Sequence, residues 1–231
     1  MRAALYFSPP ADHPLAVAAA AWLGRDAWTG AILDRGPVPD FDATALDALT
    51  AEPRRYGFHA TLKPPFRLAE GRSLDVLRTE VAAFCRNTPP ARIEALRLER
   101  IGAFFALTPD GDAAAVHLLA DDVVRAFDDF RALPTPDEIA RRRPDRLTAR
   151  QREYLAAWGY PYVFDQFRFH MTLTGPVPEE HRERMEAVLR ERFAAFIGRP
   201  LAVDALCLFT EPHPPGDFVV DTATPLSGAA G

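Results

Sequence analysis

The feature that most restricts how this chain can fold is that it contains one phrase twice. Residues 56–66 read YGFHATLKPPF and residues 167–177 read FRFHMTLTGPV. Phe58, His59, Thr61, Leu62 and Pro65 align with Phe169, His170, Thr172, Leu173 and Pro176 at a constant offset of 111 residues. The correspondence continues downstream. Ala82-Ala83-Phe84 matches Ala194-Ala195-Phe196, and Glu94-Ala95-Leu96 matches Asp204-Ala205-Leu206, with the offset drifting by one residue either way. Self-similarity over such a length marks a duplicated structural unit. Two copies are too few for a solenoid. They suit two lobes facing each other across a pseudo-two-fold axis, with the repeated polar residues meeting between them.

Each copy reads locally as a strand. Side chains alternate between the faces of a strand, so Phe58, Ala60 and Leu62 share an apolar face while His59, Thr61 and Lys63 share the other. In the second copy Phe169, Met171 and Leu173 oppose Arg168, His170, Thr172 and Thr174. Pro64-Pro65 and Gly175-Pro176 then predict that each strand stops within two or three residues. That puts both histidines near a strand end, where a cleft opens.

Two His-x-Thr motifs, each set in an apolar strand, resemble the 2H phosphoesterase superfamily. The resemblance implies an α+β, duplicated two-lobe fold, with two antiparallel sheets facing a central cleft and helices on the outer faces. It also implies an enzyme that opens or closes phosphodiester bonds, commonly 2′,3′-cyclic phosphates, without a metal or other cofactor. The family's motif falls on His59 with Thr61 and on His170 with Thr172. Residues 53–71, PRRYGFHATLKPPFRLAEG, and 140–163, ARRRPDRLTARQREYLAAWGYPYV, are further similar to a bacterial subfamily associated with phosphonate metabolism. This similarity spans nearly the whole chain and implies a small phosphorylated substrate, a 2′,3′-cyclic nucleotide or a ribose cyclic phosphate.

The residue types suit that chemistry. Opening a cyclic phosphodiester in line needs one group to take a proton from water and another to protonate the departing alcohol. Imidazole, with an ordinary pKa near 6.5, supplies either role around neutral pH. Negative charge on the equatorial oxygens needs donors already in place. Thr61 and Thr172 are placed for this, their hydroxyls stiffened by β-branching. Lys63 and Arg168 are candidates to add charge, and Tyr56 to contact substrate. The two histidines stay interchangeable as acid and base at this level. A hydrolytic metal centre fits less well, because no Asp or Glu accompanies either motif. Two other readings stay open: an RNA end-processing or ligating enzyme, and a non-catalytic protein that binds a phosphorylated metabolite.

Composition narrows the alternatives. With 48% hydrophobic and 26% charged residues, the chain is that of a globular protein. A net charge of −5 argues against general nucleic-acid binding. No apolar run is long enough for a membrane span, and the N-terminal residues lack the apolar stretch of a signal peptide, so a cytoplasmic protein is expected. Cys85 and Cys207 read as buried free thiols. The residues carry no signal for an oligomeric state.

In order, the pattern predicts a strand at 3–8, a helix at 13–23 capped by Asp12, a loop at 25–42 and a short helix at 41–49. A helix at 73–87 capped by Ser73 follows, then strands at 92–100 and 103–107 and a helix at 115–130. Residues 133–163 have no counterpart in the repeat and read as a helical insert between lobes at about 1–132 and 164–222 of a single domain. The insert holds Arg141, Arg142, Arg143, Arg146, Arg150 and Arg152. These are either solvated helix faces or, for one or two of them, a phosphate site at the cleft mouth. A helix at 179–196 and strands at 201–209 and 218–221 complete the second lobe, and the last ten residues read as frayed. His13, His117, His181 and His213 read as surface residues.

Overall fold

The computed structural model describes residues 1–229. The first elements are β1 (Arg2–Phe7), α1 (Pro14–Leu23), α2 (Ala43–Tyr56) and β2 (Ala60–Phe66). Next come α3 (Leu74–Asn87), β3 (Ala91–Ile93), β4 (Leu96–Ile101), β5 (Phe104–Pro109) and α4 (Ala114–Ala126). The insert contributes α5 (Pro136–Arg141) and α6 (Ala149–Trp158). The chain then runs through β6 (Met171–Thr172), α7 (Arg182–Arg192), β7 (Leu201–Val203), β8 (Ala205–Glu211) and β9 (Val219–Pro225). No helix among the described residues is long and apolar enough to cross a membrane.

The fold is α+β with antiparallel sheets. Seven strands lie in the order β4-β5-β6-β2-β1-β8-β9, and β3 pairs separately with β7. The seven strands join as one sheet through a single pairing, Ala60 opposite Met171. Each motif strand leaves its own copy's hairpin: β6 adds to β5, from the first copy, while β2 reaches β8-β9, from the second, through β1. The repeats are thus exchanged across the joint.

One face of the sheet carries Leu5, Phe7, Ala60, Leu62, Leu98, Leu107, Met171 and Leu208 into the main core, against Trp22 of α1, Leu77 and Val81 of α3, Val123 of α4 and Leu189 of α7. The helices begin where short polar side chains satisfy the first free N–H groups. Asp42 accepts from Ala45, Ser73 from Val76, and Thr135 and Thr148 form capping boxes with Glu138 and Gln151. For α1 the cap is His13 rather than Asp12: its Nδ1 accepts from the Leu15 N–H at 3.1 Å.

Prolines are less disruptive than their positions suggest. α2 runs through Pro53 to Tyr56, beyond the short helix expected at 41–49. Proline at 53 cannot bond the Leu49 carbonyl four residues back, and that carbonyl instead accepts the Gly175 N–H of the second motif at 2.6 Å. A Cβ at Gly175 would press on the same oxygen at 3.3 Å. The lost helical bond becomes a tie between α2 and the second motif. Similarly, β2 continues through Pro64 and Pro65 to Phe66, where its partner β6 has already ended and the pairing with β1 is bulged between Lys63 and Phe66. In the C-terminal stretch expected to fray, residues up to Pro225 lie in β9 and Leu226 N–H is bonded to Asp204. The last two residues of that stretch lie outside the described residues.

The β1–β2 register shifts between Ala3 and Leu5 and between Leu5 and Tyr6, so the alternation of β2 breaks after Thr61. Lys63 therefore does not share the polar face with His59 and Thr61. It is 2% exposed, donating to the Val124 carbonyl at 3.2 Å and to Asp128 at 3.1 Å, with Arg131 on the same carboxylate at 2.9 Å. Burial pushes its ammonium below the ordinary range, and Asp128 holds it up. Removing one partner of a buried pair costs more than the pair is worth. We expect Asp128→Ala to lower unfolding stability by about 3 kcal/mol, leaving Lys63 buried without its anion. Lys63→Met, which leaves Asp128 on Arg131, should cost less than about 1 kcal/mol; urea unfolding of the two variants reads the difference.

Candidate active site

The pairing of Ala60 with Met171 sets the site. Extended by one residue in each direction, an antiparallel register that opposes these two apolar residues puts His59 across from Thr172 and Thr61 across from His170, on the sheet face away from the main core. The two histidines then occupy one diagonal of a four-residue patch and the two threonines the other. Diagonal neighbours on an antiparallel pair have Cα atoms roughly 7–8 Å apart. That gap admits a phosphoryl group between two imidazoles.

Both rings are held alike. His59 Nδ1 lies 2.8 Å from the Gly57 carbonyl, and His170 Nδ1 lies 2.8 Å from the Arg168 carbonyl, each two residues back. A carbonyl only accepts, so both Nδ1 atoms carry the proton and both Nε2 atoms are the unprotonated acceptors of the neutral rings. Thr61 Oγ1 stands 3.0 Å from His59 Nε2 and donates to it in that tautomer. Gly57 supplies its carbonyl from a left-handed backbone (φ 74°), and a Cβ there would collide with Ala27 Cβ at 2.3 Å. Glycine is thus required for this orientation.

The surroundings differ. Tyr6 of β1, opposite Thr61 in the ladder, stacks on His59 with ring centroids 3.8 Å apart and planes at 19°. Tyr56 lies 6.2 Å and Phe209 6.1 Å from the same ring. Ala4, Tyr6, Cys207, Phe209, Phe218 and Ala27 form a second small core under this side of the cleft. His170 has a looser neighbour in Phe104 at 5.8 Å. Desolvation pushes the His59 pKa down to about 4, against the bond to Gly57, with His170 near enough to oppose its proton further. Burial also lowers His170, against the bond to the Arg168 carbonyl, with the Arg168 charge adding a smaller push downward. The same burial lifts the thiols of Cys85 and Cys207, both free, to about 11 and about 12.

Of the side chains expected at the cleft, His59, Thr61, His170, Thr172 and Tyr56 converge there. Lys63 does not, for the register reason given above. Its aligned counterpart Thr174 also turns inward, its hydroxyl accepting the Phe105 N–H at 3.0 Å because β6 ends at Thr172. Arg168 stands beside His170, but its guanidinium is taken up by Glu99, which also accepts from Arg97 and Thr108. Arg168 holds the Glu99 carboxyl below the usual range. Arg168 is not a free cation; it contributes its carbonyl. Sequence reasoning missed Tyr6 and Glu99, whose only early signal was their place in alternating strands. Among the described residues no three His, Cys, Asp or Glu side chains gather to hold a metal ion.

The model of the family described as "Protein of unknown function (DUF1045)" matches residues 61–219, which include the second motif entire and the first from Thr61 onward. The chain belongs to this family. It is 38% identical over 231 residues to "Ribose 1,5-bisphosphate phosphokinase PhnN" of Janthinobacterium sp. (strain Marseille), covering 98% of this chain and 51% of the relative. It is 35% identical over 221 residues to the protein of that name from Laribacter hongkongensis, covering 92% of this chain and 49% of the relative. The chain thus spans about half the length of the curated relatives it matches. Among solved structures, the protein TT0787 of Thermus thermophilus aligns over 100% of both chains at 16% identity and a TM-score of 0.49. That likeness is too distant to speak to function.

In this DUF1045 chain the two rings should be distinguishable by NMR. Titrating nitrogen-15-labelled protein, we expect His59 to take up its proton near pH 4 and His170 below the ordinary imidazole value, both with the neutral proton on Nδ1. Two rings titrating together at 6.5 would contradict the described burial.

Proposed function

We propose that this chain is a 2H-type phosphoesterase that opens a small cyclic phosphodiester, with His59 and His170 as its acid and base. The observation that carries this reading is the diagonal pair of imidazoles, each oriented by the carbonyl two residues back so that Nε2 is presented to the cleft. On this reading water attacks phosphorus while one Nε2 takes its proton. The ring P–O bond breaks on the opposite side, and the other histidine delivers a proton to the departing oxygen. The product is a phosphomonoester with a free neighbouring hydroxyl. Thr61 and Thr172 donate to the phosphoryl oxygens as charge builds on them.

The unequal surroundings favour His59 as base and His170 as acid. His59, the more deeply depressed of the two, is the ring that stays neutral; His170, in the looser setting, is the readier proton carrier. The donor set supports a reaction run on the imidazoles alone. The name of the curated relatives, which cites a ribose with two phosphates, supports a phosphorylated ribose as the substrate skeleton and a place in phosphonate metabolism.

Phosphorus NMR of a panel of cyclic phosphates in EDTA tests the reading. His59→Ala and His170→Ala should each slow ring opening ~10²- to 10⁴-fold, and Thr61→Ala or Thr172→Ala roughly 10- to 10³-fold. Binding without turnover in the wild type would instead indicate a sensor. Because kcat/KM reports the free enzyme, its pH profile follows the two lowered values. A neutral base is lost as pH falls through about 4, and a protonated acid is lost as pH rises through the His170 value. The optimum should therefore lie between about 4 and 6.5, and an optimum above pH 8 would reject the assignment.

A further inference from the structure

The two imidazoles are oriented by the same kind of bond, but the two carbonyls that make it are held in place by different means. Gly57 closes α2, its N–H bonded to the Arg54 carbonyl at 3.2 Å, on a backbone with no room for a Cβ beside Ala27. Arg168 has no such backbone frame. β6 begins only at Met171, and neither ladder that holds it reaches back to residue 168. What grips Arg168 is its own side chain, whose guanidinium is ion-paired with Glu99 of β4.

Glu99 is itself firmly placed. It rides on the β4–β5 hairpin, paired along its whole length from Leu96 opposite Pro109 to Ile101 opposite Phe104. One carboxylate oxygen takes Arg168; the other accepts from Thr108 Oγ1 at 2.9 Å and from Arg97 Nη2 at 3.2 Å. Charge-assisted bonds of this kind are the strong ones. Thr108 is buried, and extending the β5–β6 register by one residue puts it across from His170. The other charged and titratable groups around this segment are engaged elsewhere. Asp110 lies 3.8 Å from Arg97, Asp112 accepts the Ala114 N–H at the start of α4, His117 meets Phe167 edge to face at 5.2 Å, and His59 stands across the diagonal. Among the described residues, Glu99 is the one carboxylate on Arg168. It therefore offsets a cation, two residues from His170, whose charge opposes protonation of that ring.

We propose that Glu99 is the positioning residue of His170, holding the Arg168 carbonyl on Nδ1 and cancelling the Arg168 charge beside the ring. This rests on the phosphoesterase reading above for the part of His170 as acid, and deepens it by adding a residue that touches no substrate. Loss of Glu99 has two separable consequences. The carbonyl is released, so the ring loses its orientation. Arg168 becomes an uncompensated cation, so the protonated ring is disfavoured and the acid form is lost at lower pH.

Nitrogen-15 NMR titration of the His170 ring in wild type, Glu99→Gln and Arg168→Met reads both consequences without turnover. Glu99→Gln should take the His170 pKa below its wild-type value and admit a share of the Nε2–H tautomer. Arg168→Met should raise the pKa, because the cation is gone, and admit the same tautomer. With 2′,3′-cyclic nucleotides as substrates, Glu99→Gln should lower kcat/KM roughly 10- to 100-fold, as a misplaced reacting group does, and move the high-pH limb of the profile to lower pH. Glu99→Asp, which keeps the charge, should leave that limb in place and recover part of the rate. In an Arg168→Met background the loss from Glu99→Gln should shrink to about twofold or less, since the two residues act as one unit. A His170 pKa and tautomer unchanged in Glu99→Gln, or an equal loss with Arg168→Met in place, overturns the proposal. Should Glu99→Gln not fold, an unchanged tautomer in Arg168→Met overturns it alone. If wild type opens no cyclic phosphate, the phosphoesterase reading fails, and the titration still decides for or against Glu99.

Discussion

Everything proposed for this chain depends on one residue pair, Ala60 against Met171. Both are small or flexible enough, and fully buried, to let two motif strands meet at the centre of the sheet. Because strand side chains alternate, opposing two apolar residues necessarily opposes the polar residues on either side. A slip of one residue in this register would turn both histidines into the main core and expose Ala60 and Met171 to the cleft. The apolar face thus specifies the polar one. The exchange of motif strands between the two hairpins has the same origin, since each β-hairpin gains a third strand only from the other copy.

The duplication is symmetric in sequence and asymmetric in chemistry. The carbonyl bond to Nδ1 is reproduced at both histidines, and the apolar residues that flank them are matched. What breaks the symmetry is β1, which differs in its side chains from β5, its counterpart beside β6. It brings Tyr6 onto His59 and dries that side of the cleft, while His170 looks onto Phe104 and a half-exposed Arg168. The unequal flanking strands give two imidazoles matched in sequence different surroundings.

Buried charge holds the frame around the site. Glu211, fully buried in β8, accepts from Arg2, from Arg55 at 2.6 Å and from the Gly216 N–H at 2.9 Å. Arg25 reaches the carbonyls of Phe218 at 2.7 Å and Arg54 at 3.2 Å. These bonds tie the end of α2, the start of β9 and the loop carrying Ala27 into one unit. Gly57 and Tyr56 are fixed where that unit closes on His59. Lys63 and Thr174, aligned in the two repeats, both serve as anchors behind the cleft.

The sequence by itself determined the duplication, the fold class, most helices and the four residues of the diagonal patch. Each of these rests on local periodicity or on a pattern that repeats along the chain. Tertiary structure alone decided the exchange of motif strands and the stacking of Tyr6 on His59, because each depends on pairing between segments far apart in sequence. It also decided the fate of Lys63, where a bulge against β1 overrides the alternation that a lone strand would keep. The prolines were misleading for a related reason. Pro53, Pro64 and Pro65 each remove one donor, and whether that ends an element depends on whether another segment was waiting for the donor or for the carbonyl it leaves free.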